Sequence, residues 1–223
     1  MNSTFQSIPV RLVLNLAKRT DRLEAFRAMA ENLPFSVERF EAVEPGPFSG
    51  AAGNLHTFAR AVEHGLSLDA RRMLIFEDDA SPRPGARALL HGVESELFAL
   101  GEIWDMYMLG LGAAKPKEIT SISGRTVKVE RCGGTQAVIL SRSGMMKIHD
   151  LGIETLEDAA GTIQRTRKMP DVYLTSLLRT YLHVPLLFDQ APGYSDISQK
   201  RTNPQAGQDR FESETLLPAA SGA

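Results

Sequence analysis

Three adjacent carboxylates, Glu77-Asp78-Asp79, close the apolar run Arg72-Met73-Leu74-Ile75-Phe76. Met73–Phe76 is short and apolar on both faces, the pattern of a buried parallel strand. The acids then stand at the strand's carboxyl end, where open α/β sheets bind ligands. Side chains alternate along an extended chain, so Glu77 and Asp79 point one way and Asp78 the other. Adjacent like charges repel, and burying them unpaired is costly. A divalent cation resolves the conflict. Mg²⁺ or Mn²⁺ is typically held by one or two carboxylates, with substrate phosphates and water completing the shell. The plainer alternative is a solvated loop start with a helix-capping acid, since acid clusters alone are weak motifs. Ser81-Pro82 and Pro84-Gly85 follow as turn signals.

Other residues could join this chemistry. Ala17-Lys18-Arg19-Thr20-Asp21-Arg22 follows an apolar stretch, Val10–Leu16, and precedes Leu23, Phe26, Ala30 and Leu33 at helical spacing. This reads as strand, basic turn and helix, with Thr20 or Asp21 as N-cap. A helix N-terminus beside Arg19 and Arg22 suits a diphosphate or a nucleotide, although both arginines could equally be surface charges. His56 sits in the first turn of a helix beginning near Asn54, where it could serve the site or bond nearby backbone. Asp171 follows Pro170 at another helix start and reads equally as a first-turn acid or a functional one. Gly133-Gly134 signals a close backbone approach to a ligand or, more simply, a turn.

The elements that must position these residues alternate. Strands are expected over Val10–Leu16, Phe35–Val43, Met73–Phe76, Trp104–Gly110, Thr126–Arg131, Gln136–Ser141 and Val184–Phe188. Helices are expected from Thr20, from Asn54 to Gly65, over Gly85–Leu100, Gly144–Leu151 and Leu156–Thr166, and from Pro170 through Tyr181. Glu44–Gly53 and Lys115–Gly124 read as loops. The alternation argues for one α/β domain with a mostly parallel central sheet flanked by helices. The boundary is expected at 1–198, with 199–223 as a flexible tail that is mobile or folds over the site when ligand binds.

Composition narrows the function classes. The chain has 223 residues, 43% hydrophobic and 23% charged, enough for a sizeable core. With 25 basic and 27 acidic residues the net charge is −2, which gives no support to nucleic-acid binding. The single cysteine, Cys132, forms no intrachain disulfide and fits a reducing, cytoplasmic setting. No apolar run approaches the roughly 18–20 residues that cross a bilayer. Met1–Pro9 lacks the pattern of a secretory signal.

Several stretches, in order from about residue 10 to 197, together resemble glycosyltransferase family 25, the lipopolysaccharide-biosynthesis and collagen-galactosyltransferase type. They are Val13-Leu14-Asn15-Leu16 with Arg19-Thr20-Asp21-Arg22; the Gly-rich loop before His56; Leu74–Ala80; Trp104-Asp105 with Leu109-Gly110; Gly134-Thr135 through Ser141 with Gly144; Pro170-Asp171; and Pro185 through Gln190 with Ser195-Asp196-Ile197. The acidic triplet paired with the Asn-Leu and Arg-Thr-Asp-Arg opening is the more specific combination. The chain departs from the pattern at Leu55, at Ala51-Ala52 and at Val138.

The resemblance implies a GT-A fold, a Rossmann-like nucleotide-diphospho-sugar transferase architecture. It also implies transfer of galactose or another hexose from a nucleotide donor, most simply a UDP-sugar, with inversion and with Mn²⁺ or Mg²⁺. Carried over, Asn15, Arg19, Asp21 and Arg22 fall at the donor-nucleotide end. Glu77, Asp78 and Asp79 fall at the metal motif, with Glu77 and Asp79 as ligands and Asp78 on the nucleotide side. Asp171 is the first candidate base and Asp196 the second. His56, Gln190 and Ser195 are matched to the acceptor side. The implied partner is a saccharide or glycolipid acceptor, the implied setting lipopolysaccharide or glycan biosynthesis, cytoplasmic or peripheral at the inner membrane. A non-catalytic GT-A-like module that binds a nucleotide or a partner is the competing reading. A nucleotidyltransferase would want a Gly-rich phosphate loop after the first strand, and Ala17–Arg22 contains no glycine.

Overall fold

The computed structural model describes residues 5–44, 50–112, 115–152, 170–195, 200–202 and 205–222. The first half alternates as expected: β1 (Val10–Asn15), α1 (Thr20–Ala30), β2 (Glu38–Glu41), α2 (Gly50–Ser67), β3 (Arg72–Glu77), a short β4 (Ala80–Pro82) and α3 (Ala86–Leu100). The second half begins with β5 (Met106–Met108), β6 (Glu118–Ser123), β7 (Thr126–Glu130) and β8 (Ala137–Ser141). A helix over 142–152 (α4) follows. Then come α5 (Pro170–Leu177), β9 (Thr180–His183), β10 (Phe188–Gln190), β11 (Gly193–Ser195) and β12 (Lys200–Thr202). The chain closes with α6 (Gln205–Phe211), a π-wound turn over Glu212–Leu216, and α7 (Leu217–Ser221). The helix expected over Leu156–Thr166 lies outside the described residues.

Eight strands form one sheet in the order β2-β1-β3-β8-β5-β9-β7-β6. The sheet is mixed, not mostly parallel. β1 runs parallel to β2 and β3, and β5 to β9, but β8 is antiparallel to both its neighbours and β7 is antiparallel to β6 and β9. The sequence rhythm misses this because β8 enters between β3 and β5 after the β6–β7 hairpin rather than after a crossover helix. That hairpin also corrects the loop expected at Lys115–Gly124. β6 is an edge strand whose residues alternate between exposed and half-buried, so its apolar content is low.

Alternation across the central strands builds two cores, one on each face. Met73 and Ile75 of β3 join Val138 and Leu140 of β8 and Met106 and Met108 of β5 beneath α2, with Leu55, Phe58 and Val62. Leu74 and Phe76 join Ile139 and Tyr107 on the other face, beneath α1 and α3, with Phe26, Leu90, Val93 and Leu97. The result is a helix–sheet–helix sandwich whose central strands are apolar on both sides.

Residues 205–221, expected within a flexible tail, are helical, with α7 against β6. Gln208, Glu212, Leu216 and Ala220 are all buried. They recur every four residues, one face of a helix. Two of the four are polar, which hides the stripe from a hydropathy reading.

Candidate active site

Strand direction assembles the site. β1, β3 and β5 all end at one edge of the sheet, where antiparallel β8 begins. Backbone pairing continues past the strands there: the Glu77 N–H donates to the Gln136 carbonyl at 3.1 Å and the Leu109 N–H to the Ala137 carbonyl at 2.9 Å. Asn15, Glu77–Asp79, Gly110–Gly112 and Gly133–Gln136 are therefore neighbours. The two glycine loops fit each other. A Cβ on Gly134 would come 2.1 Å from the Gly112 nitrogen, so the close approach inferred from Gly133-Gly134 is to another loop of the protein.

Asn15 is only 1% exposed and works from behind the acids. Its Nδ2 donates to the Arg19 carbonyl at 3.0 Å and to Asp78 Oδ2 at 2.8 Å. Its Oδ1 accepts from Arg39 Nε at 3.1 Å. Arg39 was not foreseen from sequence; it lies on β2, and the parallel register brings it opposite Val13. α1 begins at Thr20, but its N-cap is Arg19, without a side-chain cap. The expected capping acid, Asp21, instead accepts Nε and Nη2 of Arg19, both at 3.0 Å. That hydrogen bond from Arg19 holds the Asp21 carboxyl down to about 2.

Arg22 reaches the triplet. Its Nη1 lies 2.8 Å from Asp78 Oδ1 and 3.1 Å from Asp79 Oδ2. Asp79 Oδ2 also accepts Gln190 Nε2 at 3.2 Å. The small β4–β10 ribbon delivers this contact, because Gln190 pairs with Ala80 and the Ala191 N–H donates to the Asp79 carbonyl at 2.7 Å. Asp79 Oδ1 is buried and has no hydrogen-bond partner among the described residues. The Asp78 and Asp79 side chains are each 9% exposed. The alternation expected from an extended chain therefore does not separate these two acids. The strand stops at Glu77 and the chain turns through 78–79, so both can meet one guanidinium.

Glu77 accepts a short hydrogen bond from the Thr135 hydroxyl. Burial, and next the charge of Asp79, push its carboxyl up to about 8 against the opposing Thr135 bond; Asp171 and Asp78 add to the rise. Burial also raises Asp79, against Arg22 and Gln190. Asp171, at the start of α5, accepts the Gly134 N–H at 2.5 Å and the Val172 N–H at 2.9 Å. Burial raises it despite those donors. Thr135 and the Gly134 amide hold two of these carboxylates; sequence reading gave neither contact, since Gly134 stood out only for close backbone approach and Thr135 only as part of a motif.

The other sequence-derived residues are placed as follows. His56 is half-buried in α2. Ser195 ends β11 and pairs through its backbone with Lys200. Asp196 lies outside the described residues. A groove of about 680 Å³ opens at the opposite end of the sheet, lined by Arg71, Arg72, Trp104 and Arg142 among others. Its lining carboxylates are Asp69 and Glu102, and none of the acidic triplet reaches it.

All-oxygen donors at Glu77 and Asp79 suit a hard divalent cation, and the unpartnered Asp79 Oδ1 gives it a lone pair to meet. Among the described residues no three His, Cys, Asp or Glu side chains converge on one ion position. A bound ion would need further oxygens from phosphate and water, as is usual for Mg²⁺. No described helix is long and apolar enough to cross a membrane.

No family profile and no curated protein matches the chain. Solved structures that it resembles include A197 from STIV, at 16% identity over 86% of this chain and 91% of that one, with a TM-score of 0.47. A glycosyltransferase involved in the glycosylation of the major capsid of PBCV-1 is 10% identical over 79% of this chain and 94% of that one, with a TM-score of 0.40. HddC from Yersinia pseudotuberculosis is 12% identical over 62% and 57%, with a TM-score of 0.30.

Proposed function

We propose that this chain is a glycosyltransferase of the family 25 type, moving a hexose from a nucleotide-diphosphate donor to a saccharide hydroxyl with inversion. The observation that carries the reading is the meeting of Asp78 and Asp79, at the end of β3, with Arg22 from the first turn of α1. Sequence placed these groups separately at the metal and nucleotide ends of one site.

Breaking the bond between an anomeric carbon and a diphosphate leaves charge on the departing phosphate. Glu77 and Asp79 would hold Mg²⁺ or Mn²⁺, which when bound supplies Lewis-acid stabilisation of that charge. Arg22 and Arg19 would supply positive charge beside the same oxygens. Inversion requires a base for the acceptor hydroxyl, worth about 10²–10⁴-fold. Asp171 is the base we assign to this role. Burial raises its basicity toward the working pH, while the Gly134 and Val172 amides fix its orientation. Gln190, through Nε2, also holds Asp79. UDP-galactose or a related donor, a glycolipid acceptor and a place in lipopolysaccharide assembly belong to the same proposal.

Calorimetry with UDP, with and without Mn²⁺, tests it. UDP binding that strengthens with Mn²⁺ supports the transferase; no UDP binding under either condition supports the non-catalytic module. Asp79→Ala should abolish donor turnover while circular dichroism stays unchanged. An active Asp79→Ala enzyme would remove the ion-binding role.

A further inference from the structure

Arg22 already stands where the acids most need positive charge. One nitrogen of its guanidinium bridges Asp78 and Asp79, and the side chain is 17% exposed. Asp79 Oδ2 is engaged by Arg22 and Gln190, while Oδ1 has no partner among the described residues. The charges of Asp79 and Asp171 both act on Glu77, yet among the described residues no three His, Cys, Asp or Glu side chains converge on a common point. A divalent ion and the guanidinium would both be drawn to Asp79, and like charges at a shared carboxylate exclude each other at close range.

We infer that Arg22 is a resident counter-ion that competes with the divalent cation, so that cation binding depends on a nucleoside diphosphate. The inference rests on the functional reading above. In the unliganded protein Arg22 neutralises Asp78 and Asp79 and keeps affinity for a bare ion low. A diphosphate offers the guanidinium a bidentate anionic partner of its own. Arg22 then turns from carboxylate to phosphate, and Asp79 is released to share an ion with the same diphosphate. Ion and diphosphate therefore bind with positive coupling, and by linkage each tightens the other by the same factor. The arrangement prevents occupation of the site by an ion alone.

Mn²⁺ binding followed by electron paramagnetic resonance tests this in the wild type and in Arg22→Gln, each with and without UDP, corrected for Mn²⁺ held by UDP in solution. The wild type should bind Mn²⁺ weakly alone and about tenfold or more tighter with UDP, within the usual range of coupling factors. Arg22→Gln should bind Mn²⁺ alone about tenfold tighter than wild type, with the dependence on UDP reduced. Arg22→Lys, which keeps the charge, should resemble wild type. If wild type shows the UDP dependence but Arg22→Gln binds Mn²⁺ alone no better, the counter-ion role is overturned and the transferase reading stands. If wild type binds no Mn²⁺ even with UDP, both fall. Should Arg22→Gln not fold, the guanidinium resonances of Arg22 in the wild type decide. Adding Mg²⁺ with UDP should shift them, and unchanged resonances would overturn the proposal.

Discussion

Glu77 is acted on by burial and by the charges of Asp79, Asp171 and Asp78, all favouring its protonated form, with the Thr135 hydroxyl opposing them. Its carboxyl rises from 4.5 to about 8, so between those values the folded protein holds a proton that the unfolded chain has released. Stability from this residue is then fully present below about pH 4.5 and is lost as pH rises through about 8, at up to about 1.4 kcal/mol per pH unit. Glu77→Gln keeps the shape, keeps a group able to accept from Thr135 and removes the charge. The variant should match wild type near pH 5 and exceed its melting temperature at pH 8.5. Melting curves over that range check the sign, and a wild-type advantage at pH 8.5 would show that Glu77 is ionised comfortably within the fold. Part of this was legible in the residues themselves, since three adjacent acids after an apolar run already imply unpaid repulsion. The partners were not, because Thr135, Arg39 and the Gly134 amide come from distant segments and carry no local signature.

At the scale of elements, Asp105 ties three together. It is 0% exposed at the entry to β5. It accepts Lys147 from α4 at 2.6 Å, Ser143 at 2.8 Å, and Nε, Nη2 and the backbone N–H of Arg179 before β9 at 3.0, 2.9 and 2.8 Å. Burial alone would raise its carboxyl, but the hydrogen bonds from Arg179 and then Lys147 outweigh it and hold it well below the usual range. Its stabilisation is therefore present above the ordinary carboxylate pKa and lost as pH falls through the depressed value. Asp105→Asn should cost about 1–3 kcal/mol, reduced from the fully buried case because both cations reach solvent. That is roughly 2–4 °C of melting temperature per kcal/mol for a chain of this size. The penalty should shrink in strong acid, and a variant within 1 °C of wild type at neutral pH would show the cluster to be surface decoration. Sequence reading found the strand and the flanking helix but not their order in the sheet. Apolar content announces β3, β5 and β8, whereas strand direction depends on connections. β6 is polar on alternate positions, and Tyr181, taken for the last turn of a helix, lies in β9 because α5 stops at Leu177.

Across the whole molecule, the C-terminal segment is tied to the edge of the sheet that carries the acids. Arg83, just after β4, pairs with Asp189 of β10 at 2.9 Å and makes short contacts with Glu212 and Asp209. Glu212 also accepts the Leu186 N–H, and Gln208 donates to the Leu111 carbonyl beside the glycine loops. Leu216 and Ala220 complete the core on the α2 face. Arg83, Asp189 and Glu212 are 13%, 5% and 8% exposed, so removing the cation would leave two carboxylates shielded from water without its charge. Breaking a buried pair in this way costs about 3–5 kcal/mol. Arg83→Met keeps the aliphatic stem and should lower the denaturant midpoint accordingly. Two outcomes of hydrogen exchange distinguish how the cost is distributed. If 205–221 joins the rest only through this cluster, its amides should exchange faster in the variant while β3 and β8 keep their protection, a sub-global opening. If the Gln208–Glu212–Leu216–Ala220 face is as integral as its burial indicates, protection should fall in β3, β8 and 205–221 together. The packing of Leu216 and Ala220 beneath the sheet favours the second result. Faster exchange confined to 205–221 would return that segment to the mobile tail its composition suggested.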